Sequence, residues 1–502
     1  DCEKSVRERL ARREANFLDR MRQAVYQNER SPYLPLMRGA GIGFEDVRAA
    51  VGQKGLDATL KDLRAAGVYL SFEEYKGRRP IERHGKSYRF DPAGISNRPG
   101  GAMEASTGGS TGPPVRVSQS LSFQRDNAVH TGLIMGLWMP PNGKVALWRS
   151  EPPASSLPTL MRFTLTGHPP AAWFTPVWDE YGESWRKRML LKTTLRMARR
   201  RGLRIPDPEY VPLGEAHRIA EWIAAEKRAG VACLVQSNVS SAVRVCEAAR
   251  RQSLDIGGAR FFMISEPLTE AKREEIEAAG AVPISVYSAV DAGRLAVPCE
   301  RPTAADDMHV CTDVAAIIAH GRLRPGSEET IDSLLITTLL PANPFFLLNV
   351  EFDDFGTLEA RDCGCRLAAL GLGLHLSRVR SFAKLTSQGT TVPMASVAGV
   401  VEKALPRRFG GASIHYQLLE EDLGSDTRLT LVISPQVGPL DERAVIEGFL
   451  AELGASRIRV AARLWEESGT LRVVRAEPVL TPRGKLMPVR VLGDYERARL
   501  PG

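Results

Sequence analysis

The segment Glu104 to Val115, EASTGGSTGPPV, holds three glycines, two prolines and four hydroxyl side chains, with no lysine or arginine. Glycine lets backbone N–H groups approach phosphate oxygens closely, and serine and threonine add donors. Such a loop suits phosphate, but it is not a Walker loop, because the GK[ST] ending is missing. A polar structural turn is the alternative reading of the same composition. A second group is rich in soft donors. Cys363 and Cys365 stand two positions apart, with Cys299, His309 and Cys311 upstream. Zinc takes four such ligands in a tetrahedron, and structural sites are closed. Cys299, His309, Cys363 and Cys365 make a Cys₃His set, and Cys311 could replace His309 or Cys299. The competing reading is ordinary buried cysteines beside a hydrogen-bonded core histidine. A third group is the run Arg186 to Arg204, with nine basic and no acidic residues. It reads as a solvated surface helix or as a docking patch for an acidic partner, an acyl carrier protein or anionic lipid.

These groups need a scaffold. Residues 1–95 read as a helical leader: a long charged helix from Arg7 to Asn28, then a helical pair from Phe44 to Ala66 broken at Gly55. After the loop, short apolar runs alternate with helical segments. GKVALWRS (Gly143 to Ser150), GVACLVQS (Gly230 to Ser237) and ARFFMIS (Ala259 to Ser265) read as buried strands. Helix-spaced segments flank the second, which argues for an α/β fold with a mainly parallel sheet. From about residue 390 a helix, two strands, a second helix and a strand-rich end form a smaller α+β unit. We expect a large domain over 1–382 and a small mobile lid domain over 383–502.

The bulk numbers exclude several classes. The chain has 502 residues, 43% hydrophobic and 25% charged, with formal net charge +8. That balance does not argue for nucleic acid. The first residues lack the apolar core of a secretory signal, and no apolar run is long enough to span a membrane. Seven cysteines without such a signal fit a reducing, cytoplasmic setting.

Three further stretches, ISEPLTEAKREEIEAAG (Ile264 to Gly280), PISVYSAVDAG (Pro283 to Gly293) and VLTPRGKLMPVR (Val479 to Arg490), follow the loop in order. The set resembles the adenylate-forming superfamily of acyl-CoA synthetases and standalone adenylation domains, and within it the phenylacetate-CoA ligases. The resemblance covers the chain from about Thr107 onward. It implies that Thr107, Ser110, Thr111 and Gly112 form the phosphate loop, with Pro113 where the family has lysine. It implies that Ser265, Glu266 and Pro267 line an adenine pocket against which Tyr287 packs, with Ser288 beside it. Asp291 stands for the family's glutamate that helps hold Mg²⁺, and Val290 for its threonine. Asp354, with Asp353 as rival, would bind the ribose hydroxyls, as a carboxylate can accept from both. Arg380 would contact ribose or phosphate, with Lys384 near the pivot between domains. Lys485, after Thr481-Pro482 and Gly484, would be the lysine of the adenylation step. Gln236 and Ser237, with Ala289 and Val290, would form the acid-binding wall. Some phenylacetate-CoA ligases also resemble this chain in holding zinc with a cysteine, a histidine and a later Cys-x-Cys.

The resemblance therefore implies an ATP- and Mg²⁺-dependent ligase with structural Zn²⁺. It would convert a small carboxylic acid to an acyl-adenylate, then pass the acyl group to CoA or an acyl carrier protein. AAWF (171–174) and WMPP (138–141) suggest an aryl or apolar acid. A homodimer is a further expected partner arrangement. Two other readings stand beside this one. One is a secondary-metabolism relative with a non-thiol acceptor, forming an amide, a nucleotidyl ester or a nitrogen–nitrogen bond. The other is an inactive relative that only binds.

Overall fold

The computed structural model describes all residues except 84, 90–94, 96–102, 107–115, 151–155, 177–184, 266–267, 269, 324–329, 382–383, 386–391, 412–414, 423–426, 456–458, 480–487 and 493–502. Its centre is a six-stranded parallel sheet. In spatial order the strands are Val282–Ser285, Arg260–Ile264, Cys233–Asn238, Lys144–Trp148, Ala172–Thr175 and Pro208–Tyr210. Parallel strands covered on both faces read as unbroken apolar runs. Accordingly Val145, Leu147, Leu234 and Phe262 enter one core, while Ala146, Trp148, Val235 and Phe261 enter another. The second core is covered by the helices Ala216–Arg228, Val239–Arg251 and Glu270–Ala278.

A seven-stranded antiparallel sheet stands beside it, which local patterning does not reveal. Its order is Tyr287–Ala289, Gly293–Pro298, Met308–Val310, Leu374–Ser381, Val350–Ala360, Thr330–Thr338 and Ala315–Leu323. The first core lies between this sheet, the parallel sheet and the N-terminal helices.

The expected helix from Arg7 to Asn28 is three pieces: Cys2–Ala11, Arg13–Met21 and a π-turn over Arg22–Tyr26. The break at Arg12 aims Arg13 at the carbonyl of Thr312 (3.0 Å) and at Asp57. The pair broken at Gly55 is present as Phe44–Lys54 and Leu56–Ala65, and Gly55 adopts φ 80° there. This leader is tied into the sheet. Asn349 donates to the carbonyls of Leu60 (2.8 Å) and Val68 (3.3 Å), and Leu70 bridges Val350.

Arg20 is the deepest tie. Its guanidinium donates to the carbonyls of Leu340 (2.6 Å), Asn343 (3.0 Å) and Phe345 (2.7 Å). Arg20→Met should cost about 3–5 kcal/mol, because three buried carbonyls lose a charged donor together. Urea unfolding at neutral pH measures it, and a midpoint within error of the parent would refute this role.

Residues 397–489 contain a core of their own. Four strands, Leu471–Arg475, Thr427–Ile433, Tyr416–Asp422 and Val489–Leu492, pair with an antiparallel centre and parallel flanks. Among the described residues, the end of the chain is less strand-rich than its sequence suggests. Arg459–Ser468 is a helix, because Ala461, Ala462, Leu464 and Trp465 bury one face of it. Leu464 packs with Val211 and Leu213 of the larger unit.

Candidate active site

The carboxyl ends of parallel strands are where α/β folds bind ligands, since helix N-termini and loops converge there. Cys233–Asn238 ends in Gln236, Ser237 and Asn238, and Arg260–Ile264 ends at Ser265, whose φ is 72°. Arg149 follows the neighbouring strand and donates to Asn238 Oδ1 (3.0 Å) and Ser265 Oγ (3.4 Å). Gln236 is fully buried, and its Oε1 has no hydrogen-bond partner among the described residues. Ser237 instead donates locally, to the carbonyl of Asn238 (2.9 Å).

Tyr287 opens the antiparallel sheet. Its hydroxyl donates to Asp354 Oδ2 at 2.7 Å. Two residues 67 positions apart, expected on adenine and on ribose, are thus in contact. Burial raises the Tyr287 phenol well above its usual range, and the Asp354 charge adds to this, so the phenol stays a donor.

Ala289 pairs with Gly293 across the turn that carries Val290 and Asp291. Gly293 is required by close approach. It holds φ 91°, and a Cβ there would stand 2.4 Å from Asn127 Oδ1. That approach lets Asn127 accept from the Arg294 backbone N–H (3.0 Å). Asp291 is buried, accepts from the Tyr75 hydroxyl, and its carbonyl accepts from Asn343 Nδ2 (3.0 Å). Ser288 accepts from Arg294 Nη1 (2.7 Å).

The expectations for Thr107, Ser110, Thr111, Gly112, Glu266, Pro267 and Lys485 lie outside the described residues. The strands flanking the loop, Met103–Ser106 and Arg116–Gln119, pair as an antiparallel hairpin. Arg380 lies in the strand Leu374–Ser381, opposite Phe355. Trp173 and Phe174 of AAWF are buried in the two cores, on opposite faces of their strand, so that motif is packing rather than an identified pocket lining.

Of the residues expected to bind zinc, Cys299, His309 and Cys363 converge, and the fourth member of their compact group is His375 rather than Cys365. Cys299 Sγ and Cys363 Sγ are 3.7 Å apart. His309 Nε2 is 3.6 Å from Cys363 Sγ and 3.1 Å from Cys365 Sγ. Ligand bonds of about 2.3 Å to sulfur and 2.0 Å to nitrogen in a tetrahedron would put ligand atoms about 3.5–3.8 Å apart. The first two separations match; the third is tighter. His309 Nδ1 donates to the carbonyl of Leu372 (2.6 Å), which leaves Nε2 as the lone-pair donor facing the thiols. The donor set therefore fits a tetrahedral metal.

His375 joins this group and was not anticipated. Its Nδ1 is 2.8 Å from Asp307 Oδ1, while its buried Nε2 has no partner among the described residues. The only sequence signal was an isolated histidine ten residues past Cys365. Cys311 does not replace a ligand in this group; it sits with His130 and Asp313 in a separate buried one. Tyr75, Asn343, Arg149, Arg162 and Arg294 were also missed. Arg294 stands three residues past Asp291, and Arg149 lies within the strand stretch GKVALWRS.

No family model matches the chain, and no curated protein matches it. Solved structures do. One is a 2-hydroxyisobutyryl-CoA ligase in complex with 2-HIB-AMP and CoA in the thioesterification state. It aligns with TM-score 0.56 at 14% identity, over 97% of this chain and 91% of that one. The same ligase in its postadenylation state aligns at 0.48 and 14%, over 99% and 90%. The O-succinylbenzoate CoA synthetase of Bacillus subtilis aligns at 0.35 and 12%, over 78% and 70%. Scores below 0.5 carry no argument, so the first alignment is the one that counts. The chain shares the fold of that ligase. Among the described residues, no helix is long and apolar enough to cross a membrane.

Proposed function

We propose that the chain activates a carboxylic acid with ATP and Mg²⁺, forming an acyl-adenylate and pyrophosphate, and then transfers the acyl group to a thiol. The observation that carries this is the Tyr287–Asp354 hydrogen bond. It joins the two segments to which motif order assigns adenine and ribose, in a fold aligned over nearly the whole length of an acid–CoA ligase. Asp291 would help hold Mg²⁺, with its backbone fixed by Asn343. The loop at 107–112 would hold the pyrophosphate that leaves, and Lys485 would supply the working cation. Arg380 would contact the ribose or phosphate. We place the boundary of a mobile lid at 382/383; the lid would rotate between the two steps.

Zn²⁺ would be structural, held by Cys299, His309 and Cys363 with Cys365 or His375 as fourth donor. CoA is the acceptor we favour, since the aligned ligase is bound to it. A carrier protein would meet the helix Trp185–Arg200, which buries Leu195 and leaves Lys192, Arg196 and Arg200 exposed. Departures from the family pattern at Pro113, Val290 and Asp291 favour the second reading, a secondary-metabolism enzyme with a non-thiol acceptor.

The test is acid-dependent ATP–pyrophosphate exchange over a panel of carboxylic acids, followed by addition of CoA. Exchange at least about 100-fold above the acid-free rate is expected with one acid class. Exchange without thioester would move the reading to a non-thiol acceptor. Absence of exchange with every acid would leave only the binding-protein reading.

A further inference from the structure

Arg294, which holds Ser288 beside the segment assigned to the acid, and Arg162, on the helix that packs Phe163 against Phe262, take no part in the adenylation chemistry. Arg294 is buried. Its guanidinium lies over the Phe262 ring, 5.2 Å from the centroid, and Nη1 donates to Ser288 Oγ at 2.7 Å. Its Nε is buried without a partner among the described residues. Arg162 lies one residue before Phe163, whose ring meets Phe262 edge-on at 5.7 Å. Its guanidinium donates to Thr159 Oγ1 at 2.9 Å. Among the described residues, no carboxylate pairs with either guanidinium.

Arg294 is buried and Arg162 half-buried, and cations so placed without counter-charges are expensive unless a ligand completes them. Burial lowers Arg162 to about 9, with the Arg294 and Arg149 charges adding to the effect, and burial lowers Arg294 to about 10. Both stay charged at neutral pH, but at a cost that an anion would remove. Gln236 pairs in register with Phe262, and its unpaired Oε1 is buried on the same strand pair.

The reacting carboxylate is a poor occupant for this pair. It loses its charge when it becomes a mixed anhydride. Cations that grip it would therefore stabilise the ground state over the adenylate and slow the reaction. A carboxylate elsewhere on the substrate keeps its charge throughout, so binding it costs nothing at the transition state.

We propose that the acid this chain activates carries a second carboxylate, held by Arg162 and Arg294 on the Phe262 face of the parallel sheet. This rests on the reading of the chain as an acid-activating enzyme, and it narrows the substrate class to diacids, aliphatic or aromatic. Arg162 and Arg294 then determine specificity, and Ser288 positions the second of them.

The experiment compares glutarate, adipate and isophthalate with their monomethyl esters in ATP–pyrophosphate exchange, for the parent chain, Arg294→Met and Arg162→Met. At least one diacid should exceed its ester about 100-fold in kcat/KM with the parent, because the ester leaves the guanidinium pair unpaired. Each variant should bring that ratio to within about 3-fold, chiefly by raising KM for the diacid. Without ligand, Arg294→Met should melt at or above the parent temperature, since it removes a buried charge with no carboxylate partner, and Arg162→Met, at a half-buried position, should melt close to the parent. The diacid alone should raise the melting temperature of the parent and of neither variant. Equal rates for diacids and esters, or a diacid preference that survives both substitutions, would overturn the inference and leave acid activation standing. Stabilisation by a diacid without any exchange would keep the anion site and remove acid activation. Neither stabilisation nor exchange with any diacid would overturn both.

Discussion

Replacing Lys485 with alanine should cut acid-dependent pyrophosphate release by at least about 1,000-fold while ATP still binds. The reason is electrostatic. As a carboxylate attacks the α-phosphorus, charge builds on oxygens that started out anionic, and a positioned ammonium stabilises that build-up without moving a proton. The glycine-rich segment offers no alternative, because Pro113 occupies the place where related loops carry a lysine. Its hydroxyls and backbone donors are neutral. Arg162 and Arg294 are committed to the acid wall, and Arg149 to Asn238 and Ser265. The loss should fall on one half-reaction only. Supplied with preformed acyl-adenylate and CoA, the variant should form thioester at close to the parent rate. Lys485→Arg should recover little, because a planar guanidinium replaces a compact ammonium. Calorimetry with ATP, pyrophosphate release and single-turnover thioester formation separate the steps. Unchanged release would remove Lys485 from the chemistry. Equal loss in both half-reactions would make its role structural.

The parts of this molecule that sequence exposes are those with local signals. Apolar runs such as GVACLVQS read as strands because a parallel strand is buried on both faces. The helix break at Gly55 reads because the chain needs φ near 80° there. The resemblance implied that Tyr287 and Asp354 face one nucleotide; the structure shows that the two share a hydrogen bond. What stayed hidden depends on pairing between distant segments. The antiparallel sheet joins Met308–Val310 to Leu374–Ser381, a partnership with no trace in either segment. That pairing sets His309 opposite His375, so the additional imidazole near the thiols could not be read from cysteine spacing. Arg294 looked like an ordinary strand residue. Its meaning comes from Phe262 and Ser288, brought to it by two different sheets. The helix Arg459–Ser468 went unread because two alanines carry half of its buried face, which leaves a weak apolar period.

Purified chain should contain about one zinc, and its removal should lower the melting temperature by about 10 °C or more. Cys299, Cys363, His309 and His375 gathered within 4.8 Å of one another, with Cys365 at 3.1 Å from His309, have little reason to stay together without a metal. Burial pushes the Cys299 and Cys365 thiols up, so without a metal they remain neutral and only weakly attract one another. A metal converts them to thiolates and turns a loose contact into a closed site. His309→Ala and Cys363→Ser should both release the zinc, since each removes a ligand at the centre of the measured contacts. The pair Cys365→Ser and His375→Ala then decides the fourth donor: one of them should lose the metal and the other keep it. The site should also report on the nucleotide. Cys299 lies just past the strand that begins after Asp291, and Cys363 lies three residues past the strand that carries Asp354. A metal between them would fix the relative position of Asp291 and Asp354, the carboxylates we propose for Mg²⁺ and ribose. Partial chelation, below the point of unfolding, should therefore raise KM for ATP several-fold and change KM for the acid little. Zinc-free chain with an unchanged melting temperature would refute the centre. An equal rise in both KM values would place its influence on the whole domain rather than on the nucleotide wall.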